Sequence, residues 1–217
     1  MTVSDEPITY DDIVAASGRI ARQAVRAPLL ESARINDLAG ARVLFKPECL
    51  QRTGSFKVRG AWNRISQLDA SALAGGVVAF STGNHAPGVA AAAAGRGMPA
   101  VIVMPADTPE IKKANTRWLG AEVVEYDRSS GDRAGIAQAI ADERGAVIVP
   151  PFDDPDIIAG QGTVGLEIAD DLDSLGITPD VVAVPAGGGG LIAGTSLAIT
   201  TRFPDAKVFS VEPEGFD

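Results

Sequence analysis

The sequence has very little cysteine and histidine, with one residue of each among 217. The single cysteine, Cys49, rules out a disulfide within the chain, so we expect a reducing compartment and interpret Cys49 as a small apolar filler. The single histidine, His85, leaves too little material for a histidine-based metal cluster or a dependable histidine acid/base relay. The G-x-S-x-G motif is also absent, which argues against a serine-hydrolase nucleophile.

Positive charge and long apolar runs are scarce as well. Lysine and arginine number 19 against 28 aspartate and glutamate residues, which gives a formal net charge of -9. Nucleic acids and anionic membranes repel such a chain, so we expect neither as a partner. No apolar run is long enough to span a bilayer, and the acidic start MTVSDEPITYDD lacks the basic region and apolar core of a targeting segment. We expect a soluble cytoplasmic protein that acts on small molecules.

What the sequence does contain is a regular alternation of apolar strands and helical segments. Hydrophobic residues make up 46% of the chain, which is enough for a substantial core. The expected strands are residues 42–46, 76–80, 100–104, 121–126, 146–149, 180–184 and 207–211. The expected helices are residues 58–68, 89–94, 111–119, 134–144, 157–172 and 191–200. This order predicts the α/β class, with mainly parallel sheets and ligand sites at the carboxyl ends of the strands.

The chain has no Ser/Gly-rich linker, so any domains are expected to be divided by packing alone. We expect two open parallel-sheet α/β/α domains: a small one from residues 76–150, and a large one in which residues 1–75 and 151–217 share a second sheet. The last expected strand ends at Val211 with only a loop after it. An exposed apolar face and a longer natural chain are therefore expected.

Four consecutive glycines, Gly187, Gly188, Gly189 and Gly190, separate an apolar strand from a helix. Unhindered backbone N–H groups and the positive end of a helix dipole would meet there, which favours an anion. The spacing does not fit the dinucleotide fingerprint G-x-G-x-x-G, and no Lys-Ser/Thr pair follows as in a phosphate-binding P-loop. We interpret the turn as a cradle for a single phosphate monoester. A flexible turn without function is the alternative.

A second polar turn follows the expected strand 76–80 and consists of Ser81, Thr82, Gly83, Asn84 and His85. Its hydroxyls, amide and backbone donors suit a carboxylate or a phenolate-like oxygen. Taken alone, however, helix capping by Ser81 and Asn84 is the simpler interpretation. A lone histidine beside a helix start, such as His85, is usually structural.

A third turn carries Lys57 within the stretch QRTGSFKVRG. Lysines are common in wet turns, and this one could be nothing more. Yet all three turns follow the carboxyl end of a strand, so Lys57, the 81–85 turn and the 187–190 turn could converge on one crevice. An amine near a phosphate and partly shielded from water can lose its proton near neutral pH and act as a nucleophile.

Together these motifs resemble the fold-type II pyridoxal phosphate enzymes, in particular the threonine/serine dehydratases and the serine racemases. The motifs are S-F-K at residues 55–57, S-T-G-N-H at 81–85 and G-G-G-G at 187–190. The similarity runs from Ala27 to the end of the chain and includes P-F-D-D-P at 151–155 and A-G-Q-G-T at 159–163. Three such motifs in the same order are highly specific, whereas each alone is weak.

The resemblance implies a role for each motif. Lys57 would hold pyridoxal 5'-phosphate as a Schiff base, with Phe56 packed beside it. Asn84 would bind the 3'-oxygen of the cofactor, residues 81–85 would hold the substrate carboxylate, and residues 187–190 would wrap the cofactor phosphate. The implied reaction is a β-elimination that converts threonine or serine to 2-oxobutanoate or pyruvate and ammonia, with Lys57 taking the Cα proton.

Two alternatives remain open at this point. Thr82 stands where such dehydratases often carry alanine and racemases carry a proton-shuttling serine, so a serine or hydroxyaspartate racemase/dehydratase is possible. A noncatalytic module that binds the cofactor is the other alternative. The sequence does not distinguish threonine from serine, because one methyl group in a pocket is worth only about 1–3 kcal/mol.

The resemblance also implies features near and beyond the end of this chain. Glu212 could take part in a cation site, although a solvated loop glutamate is at least as good an interpretation. The residue facing the pyridine nitrogen would lie after residue 217, because Asp217 comes too early to supply it. We expect a homodimer when the chain is full length, and poor activity from these residues alone.

Overall fold

The computed structural model describes residues 7–129 and 131–215, in which helices and strands alternate along the chain. The helices are α1 (Tyr10–Ile20), α2 (Ala33–Ala39), α3 (Lys57–Ser66), α4 (Ala72–Gly75), α5 (His85–Gly95), α6 (Glu110–Trp118), α7 (Arg133–Arg144), α8 (Pro155–Leu175) and α9 (Gly190–Arg202). The strands are β1 (Leu30–Glu31), β2 (Leu44–Phe45), β3 (Val77–Phe80), β4 (Ala100–Pro105), β5 (Glu122–Tyr126), β6 (Val147–Ile148), β7 (Val181–Pro185) and β8 (Lys207–Val211). All the expected strands and helices are present, and the α/β class is confirmed.

The main sheet has four parallel strands in the order β5-β4-β3-β6, all within the range expected for the small domain. Side chains alternate between its two faces, so Val77 and Ala79 pack with α3 and α5 while Val78 packs with α7. The six residues of β4 are all buried, as expected for a strand between two helix layers. This sheet is confirmed, whereas the division of the chain into two domains remains our proposal.

The expectation that the remaining strands share one parallel sheet is wrong. β1 and β2 pair only with each other and are antiparallel, and β7 and β8 form a separate parallel pair. The two pairs meet through side chains instead, because Leu29 and Leu44 pack against the same apolar cluster as Val182 and Val208. Contacts between buried side chains, and not backbone hydrogen bonds, therefore connect the β1–β2 pair to the β7–β8 pair.

β7 and β8 are also less buried than expected. Val181, Phe209 and Val211 each expose more than half of their surface. The exposed apolar face expected near the end of the chain is therefore confirmed. Cys49 is a second departure, because it lies exposed in the 3-10 turn Glu48–Leu50 and does not fill the core.

Helix α8 is the longest helix of the described residues, at 21 residues, and it packs against α1, α3 and α9. Glycines allow two of these contacts. A Cβ on Gly160 would lie 2.6 Å from the Cα of Gly60 in α3, and a Cβ on Gly194 in α9 would lie 2.6 Å from the amide nitrogen of Gly162. Within residues 7–129 and 131–215, no helix is long and apolar enough to cross a membrane.

Helix α1 was not expected, although its sequence carries a start signal. Thr9 and Asp12 form a capping box, in which each side chain accepts a hydrogen bond from the other residue's backbone N–H. Ile13, Ala16 and Ile20 form the buried face of the helix. The T-x-x-D spacing before an apolar periodic segment could have predicted this helix.

Candidate functional site

A cavity of about 240 Å³ lies between the start of α3 and the start of α9. Its walls are Phe56, Lys57, Phe152 and residues 185–192, which include all four glycines of the 187–190 turn. The structure thus brings together two of the three motifs found in the sequence. A larger cavity of about 410 Å³ lies between residues 26–29 and the end of α8, but its charged side chains, Arg26 and Asp171, are paired with each other.

The 187–190 turn presents backbone donors to the cavity. Gly189 has a φ of 83°, which favours glycine, and caps the 13-residue helix α9 that Gly190 begins. A Cβ on Gly187 would meet no protein atom within 4 Å, so neighbouring protein atoms do not require a glycine there. The first turn of α9 has no acidic side chain that would repel an anion. An open, glycine-lined helix start of this kind fits a phosphate group.

Lys57 is the first residue of α3, and its backbone N–H donates to the hydroxyl of Ser55. Its side chain is half-buried, and its Nζ donates to the carbonyl oxygen of Pro151 at 2.5 Å and lies 5.4 Å from the centre of the Phe56 ring. Among the described residues, no carboxylate lies within ion-pair distance of this amine. Burial therefore lowers the pKa of Lys57, and no negative charge nearby in the described part of the chain raises it again. A lowered pKa favours the neutral, nucleophilic form of the amine.

Residues 149–152 connect all three motifs. The carbonyl oxygen of Val149 is 3.0 Å from Nε2 of His85, and that of Pro151 accepts from Lys57. The Phe152 ring lies so close to the glycine turn that a Cβ on Gly188 would be 2.1 Å from it. The sequence does not predict this role of Phe152, because a single aromatic residue after two prolines gives no indication of what it contacts.

The 81–85 turn adjoins the start of α3 and is not among the residues that line the cavity, so its convergence with the other two motifs on one crevice stays a prediction. A Cβ on Gly88, in the first turn of α5, would lie 3.1 Å from the backbone carbon of Lys57. Asn84 is exposed at the N-cap of α5 and makes no side-chain capping bond, so the capping interpretation is wrong for this residue. The hydroxyl of Ser81 accepts from Gly83 within the turn and does not cap the helix either.

His85 is the last residue of this turn, and it is buried, with 2% of its surface exposed. Because Val149 offers a carbonyl oxygen to Nε2, the neutral ring carries its proton on Nε2 and leaves Nδ1 as a buried acceptor. Burial, aided by the nearby charge of Lys57 and opposed by the Val149 bond, lowers the pKa of His85 from 6.5 to about 4. The imidazole is thus a neutral link between α5 and residues 149–152.

We expect acid to destabilise the protein through His85. The folded pKa lies below the unfolded one, so the unfolded chain binds more protons between pH 6.5 and about 4. The free energy of unfolding is therefore complete above this window and falls by up to about 3 kcal/mol as the pH drops through it. The His85→Gln variant keeps an amide donor for Val149 but cannot titrate. Denaturant unfolding at stepped pH should show a shallower acid loss in the variant, whereas parallel curves would contradict this role.

The remaining site prediction, Glu212, lies exposed in the loop after β8. No group of three or more His, Cys, Asp or Glu side chains that could hold a metal ion occurs in the part of the chain that the structure describes. A cation site at Glu212 stays a prediction. Asp217 lies outside the described residues.

Comparison with known proteins places these observations in a family. Residues 20–217 match the family described as pyridoxal-phosphate dependent enzyme. The chain is 44% identical over 206 residues to the L-threo-3-hydroxyaspartate ammonia-lyase of Saccharomyces cerevisiae and 43% identical over 206 residues to the serine racemase of Schizosaccharomyces pombe. Each alignment covers 95% of this chain and 62% of the relative, so the chain spans less than two thirds of these relatives' length.

A solved structure supports the same family assignment. The structure of a T.th. threonine deaminase superposes with a TM-score of 0.90 at 45% identity, covering 95% of this chain and 65% of the other. The family's cofactor, pyridoxal phosphate, carries one phosphate and one aldehyde. These groups suit the glycine-lined helix start and the Lys57 amine, whose pKa is lowered by burial and which lines the same cavity. The chain belongs to the fold-type II family of pyridoxal-phosphate-dependent enzymes, in the group that contains ammonia-lyases and amino-acid racemases.

Proposed function

We propose that the protein is a pyridoxal-phosphate-dependent ammonia-lyase that removes water from L-threonine or L-serine by β-elimination, after which hydrolysis of the imine product releases ammonia and a 2-oxo acid. The observation that carries this proposal is that Lys57 and the 187–190 turn line the same cavity. A covalent anchor and a phosphate cradle in one cavity can hold the two ends of one small cofactor. When bound, pyridoxal phosphate supplies an electron sink that makes the Cα proton of the substrate acidic.

The residues of this chain have separate tasks in the proposal. Lys57 attaches the cofactor and, once displaced by the substrate amine, takes the Cα proton, a step for which its lowered pKa suits it. The β-hydroxyl then leaves as water, and hydrolysis of the released product gives a 2-oxo acid and ammonia. The backbone of residues 187–190 holds the phosphate, and Phe56 and Phe152 shield the amine from solvent.

The 81–85 turn is proposed to hold the substrate carboxylate and, through Asn84, the ring oxygen of the cofactor. The support is its position against the start of α3 and the free capping position of Asn84. His85 contributes to this turn through its backbone, since its ring is buried against Val149.

A second candidate function is racemisation or dehydration of serine or 3-hydroxyaspartate. Two observations favour it: the hydroxyl of Thr82 in the 81–85 turn, and relatives named as a hydroxyaspartate ammonia-lyase and a serine racemase. In this alternative Thr82 returns a proton to the face of Cα opposite Lys57. A noncatalytic module that only holds the cofactor is the third candidate.

One set of assays separates the candidates. The protein purified from its own organism, alongside the 217-residue chain, is incubated with L-threonine, L-serine or L-threo-3-hydroxyaspartate. The 2-oxo acid, ammonia and chirality of the remaining substrate are then measured. Steady release of 2-oxobutanoate or pyruvate supports the proposal, whereas D-serine formation that Thr82→Ala abolishes supports the racemase. Cofactor binding without turnover of any substrate would leave only the binding module.

The contact between Phe152 and the glycine turn gives a further prediction. A methyl group at position 188 collides with the Phe152 ring, whereas one at position 187 meets no protein atom within 4 Å and would crowd only a phosphate held by the turn. We expect Gly188→Ala and Gly187→Ala each to weaken cofactor binding at least about tenfold. Adding Phe152→Ala should restore binding to the first variant only. Equilibrium dialysis measures the affinities, and equal rescue of both variants would refute this account.

We propose a cytoplasmic location and a homodimer, the latter from the resemblance to the family alone. A cation bound near Glu212 is proposed as an optional addition to the cofactor.

A further inference from the structure

Arg59 lies two residues after Lys57 in α3 and is fully buried, with 0% of its surface exposed. Around it is a group of charged side chains that we call the Arg59 cluster, consisting of Arg59, Glu48, Glu167 and Lys46. None of these residues lines the cavity beside Lys57. A buried guanidinium is costly unless every N–H group finds a partner, so its presence requires an explanation.

All five N–H groups of Arg59 have partners. Nε and one terminal nitrogen donate to the two carboxylate oxygens of Glu48, each at 2.8 Å. The two terminal nitrogens also donate to the carboxylate of Glu167, at 2.7 and 3.0 Å. The hydroxyl of Thr163 accepts the remaining proton at 3.1 Å. Two carboxylates thus grip two edges of one planar group, a geometry that a lysine cannot reproduce.

Lys46 balances the charge of the cluster, because its ammonium and the guanidinium of Arg59 together offset the carboxylates of Glu48 and Glu167. The Nζ of Lys46 lies 2.8 Å from Glu167. Burial raises the pKa of Glu167, but the hydrogen bonds and charges of Arg59 and Lys46 outweigh burial and leave the pKa below its ordinary value. Both carboxylates that grip Arg59 belong to other parts of the chain: Glu48 to the 3-10 turn before α3 and Glu167 to α8. The start of α3 is therefore fastened to two separate elements through one side chain.

Helix geometry places this anchor behind Lys57. Two residues correspond to about 200° of rotation, so Lys57 and Arg59 project from nearly opposite sides of α3. Lys57 faces the cavity while Arg59 is held by α8 and the 3-10 turn. A shift or rotation of the first turn of α3 that displaced the Lys57 amine would also break the paired hydrogen bonds between Arg59 and its two carboxylates.

We propose that Arg59 is a positioning residue that fixes the direction and depth of the Lys57 amine in the cavity. The proposal rests on the proposed function of Lys57 and adds a specific device to it. Glu48 and Glu167 hold Arg59 on the side of α3 opposite Lys57 and so restrain the first turn of the helix. This restraint sets which positions the Lys57 amine can reach. A reacting group displaced by about 1 Å can lose on the order of a hundredfold in rate.

The test compares Arg59→Lys with Arg64→Lys. Arg64 is a matched control because it is also largely buried on α3 and paired with two carboxylates, those of Asp154 and Asp156, but lies away from Lys57 by nearly two helical turns. Each protein is treated with pyridoxal phosphate and borohydride, and the label at Lys57 is quantified by peptide mass spectrometry. The pH dependence of Lys57 acylation by a small neutral reagent is measured without the cofactor, together with the melting temperature.

We expect Arg59→Lys to slow labelling of Lys57 at least about tenfold and to shift its acylation profile, while Arg64→Lys lowers the melting temperature and changes neither. An unchanged labelling rate and profile in a less stable Arg59→Lys protein would overturn the proposal. If Arg59→Lys does not fold, Glu48→Gln weakens one fork only and should shift the same two readouts in the same direction; no shift would again overturn it. Absence of label in the unmodified protein would refute the proposed function, while the acylation profile would still test Arg59.

Discussion

Replacing Lys57 by alanine is expected to abolish covalent retention of pyridoxal phosphate and to lower turnover at least about a thousandfold. The reason is that Lys57 is the one lysine on the wall of the cavity and that its amine has no carboxylate partner among the described residues. Both the anchor and the proton carrier are lost together. The protein should still fold, because a half-buried side chain at the start of a helix contributes little to the core.

The measurement is visible absorbance before and after borohydride, followed by mass spectrometry of the labelled peptide. Lys113→Ala is the control, since Lys113 is also a largely buried lysine but lies on α6, in ion pairs with Glu110 and Glu125. The control should keep the label at Lys57. Yellow colour and activity that persist in Lys57→Ala would remove the basis of the proposed function.

Gly160→Ala is expected to destabilise the protein by about 3 kcal/mol or more, near the upper end of what overpacking costs. The added methyl would lie 2.6 Å from the Cα of Gly60 and 2.8 Å from the carbonyl oxygen of Arg59. Both are backbone atoms, so the clash cannot be relieved by a side-chain rotation. Helix α3 would have to separate from α8, which would displace Lys57 and pull Arg59 away from its partner Glu167 in α8.

Gly18→Ala provides the matched control, because Gly18 lies in α1 and a methyl there would meet nothing within 4 Å. It should stabilise the protein by about 0.5–1 kcal/mol through helix propensity. Denaturant unfolding gives the free energy of unfolding of both variants. The two values can be compared if the dependence of that free energy on denaturant concentration is unchanged. A Gly160→Ala protein as stable as the original would mean that α3 and α8 do not cross as closely as described.

The secondary structure was predictable wherever the apolar pattern was long and periodic. β3, β4 and β5 were expected within a residue or two of their observed bounds. β3 and β4 are buried strands that carry apolar side chains on both faces, whereas the half-buried β5 is indicated by its β-branched Val123 and Val124. β1 and α2 were not expected, since both are short and largely exposed and leave no periodic signal. α1 was missed despite its capping box, a signal that was present in the sequence.

The site was predictable in part. Lys57 and the 187–190 turn were expected to meet because both follow strand ends, and they line one cavity. Phe152 and Arg59 were not expected, because their partners lie far along the chain: Gly188 for the ring, and Glu167 for the guanidinium. Contacts at such separations depend on how helices cross, which no local pattern encodes.

The order of strands and helices and the glycine-lined start of α9 were determined by the sequence alone, because each depends on residue types within a few neighbours. Only the tertiary structure decided that the outer strands form separate pairs, that the 81–85 turn lies outside the cavity and that Arg59 is gripped behind Lys57. The contacts of Arg59 with α8 depend on the close crossing of α3 and α8 at Gly60 and Gly160, where the absence of a side chain sets how closely the two helices approach.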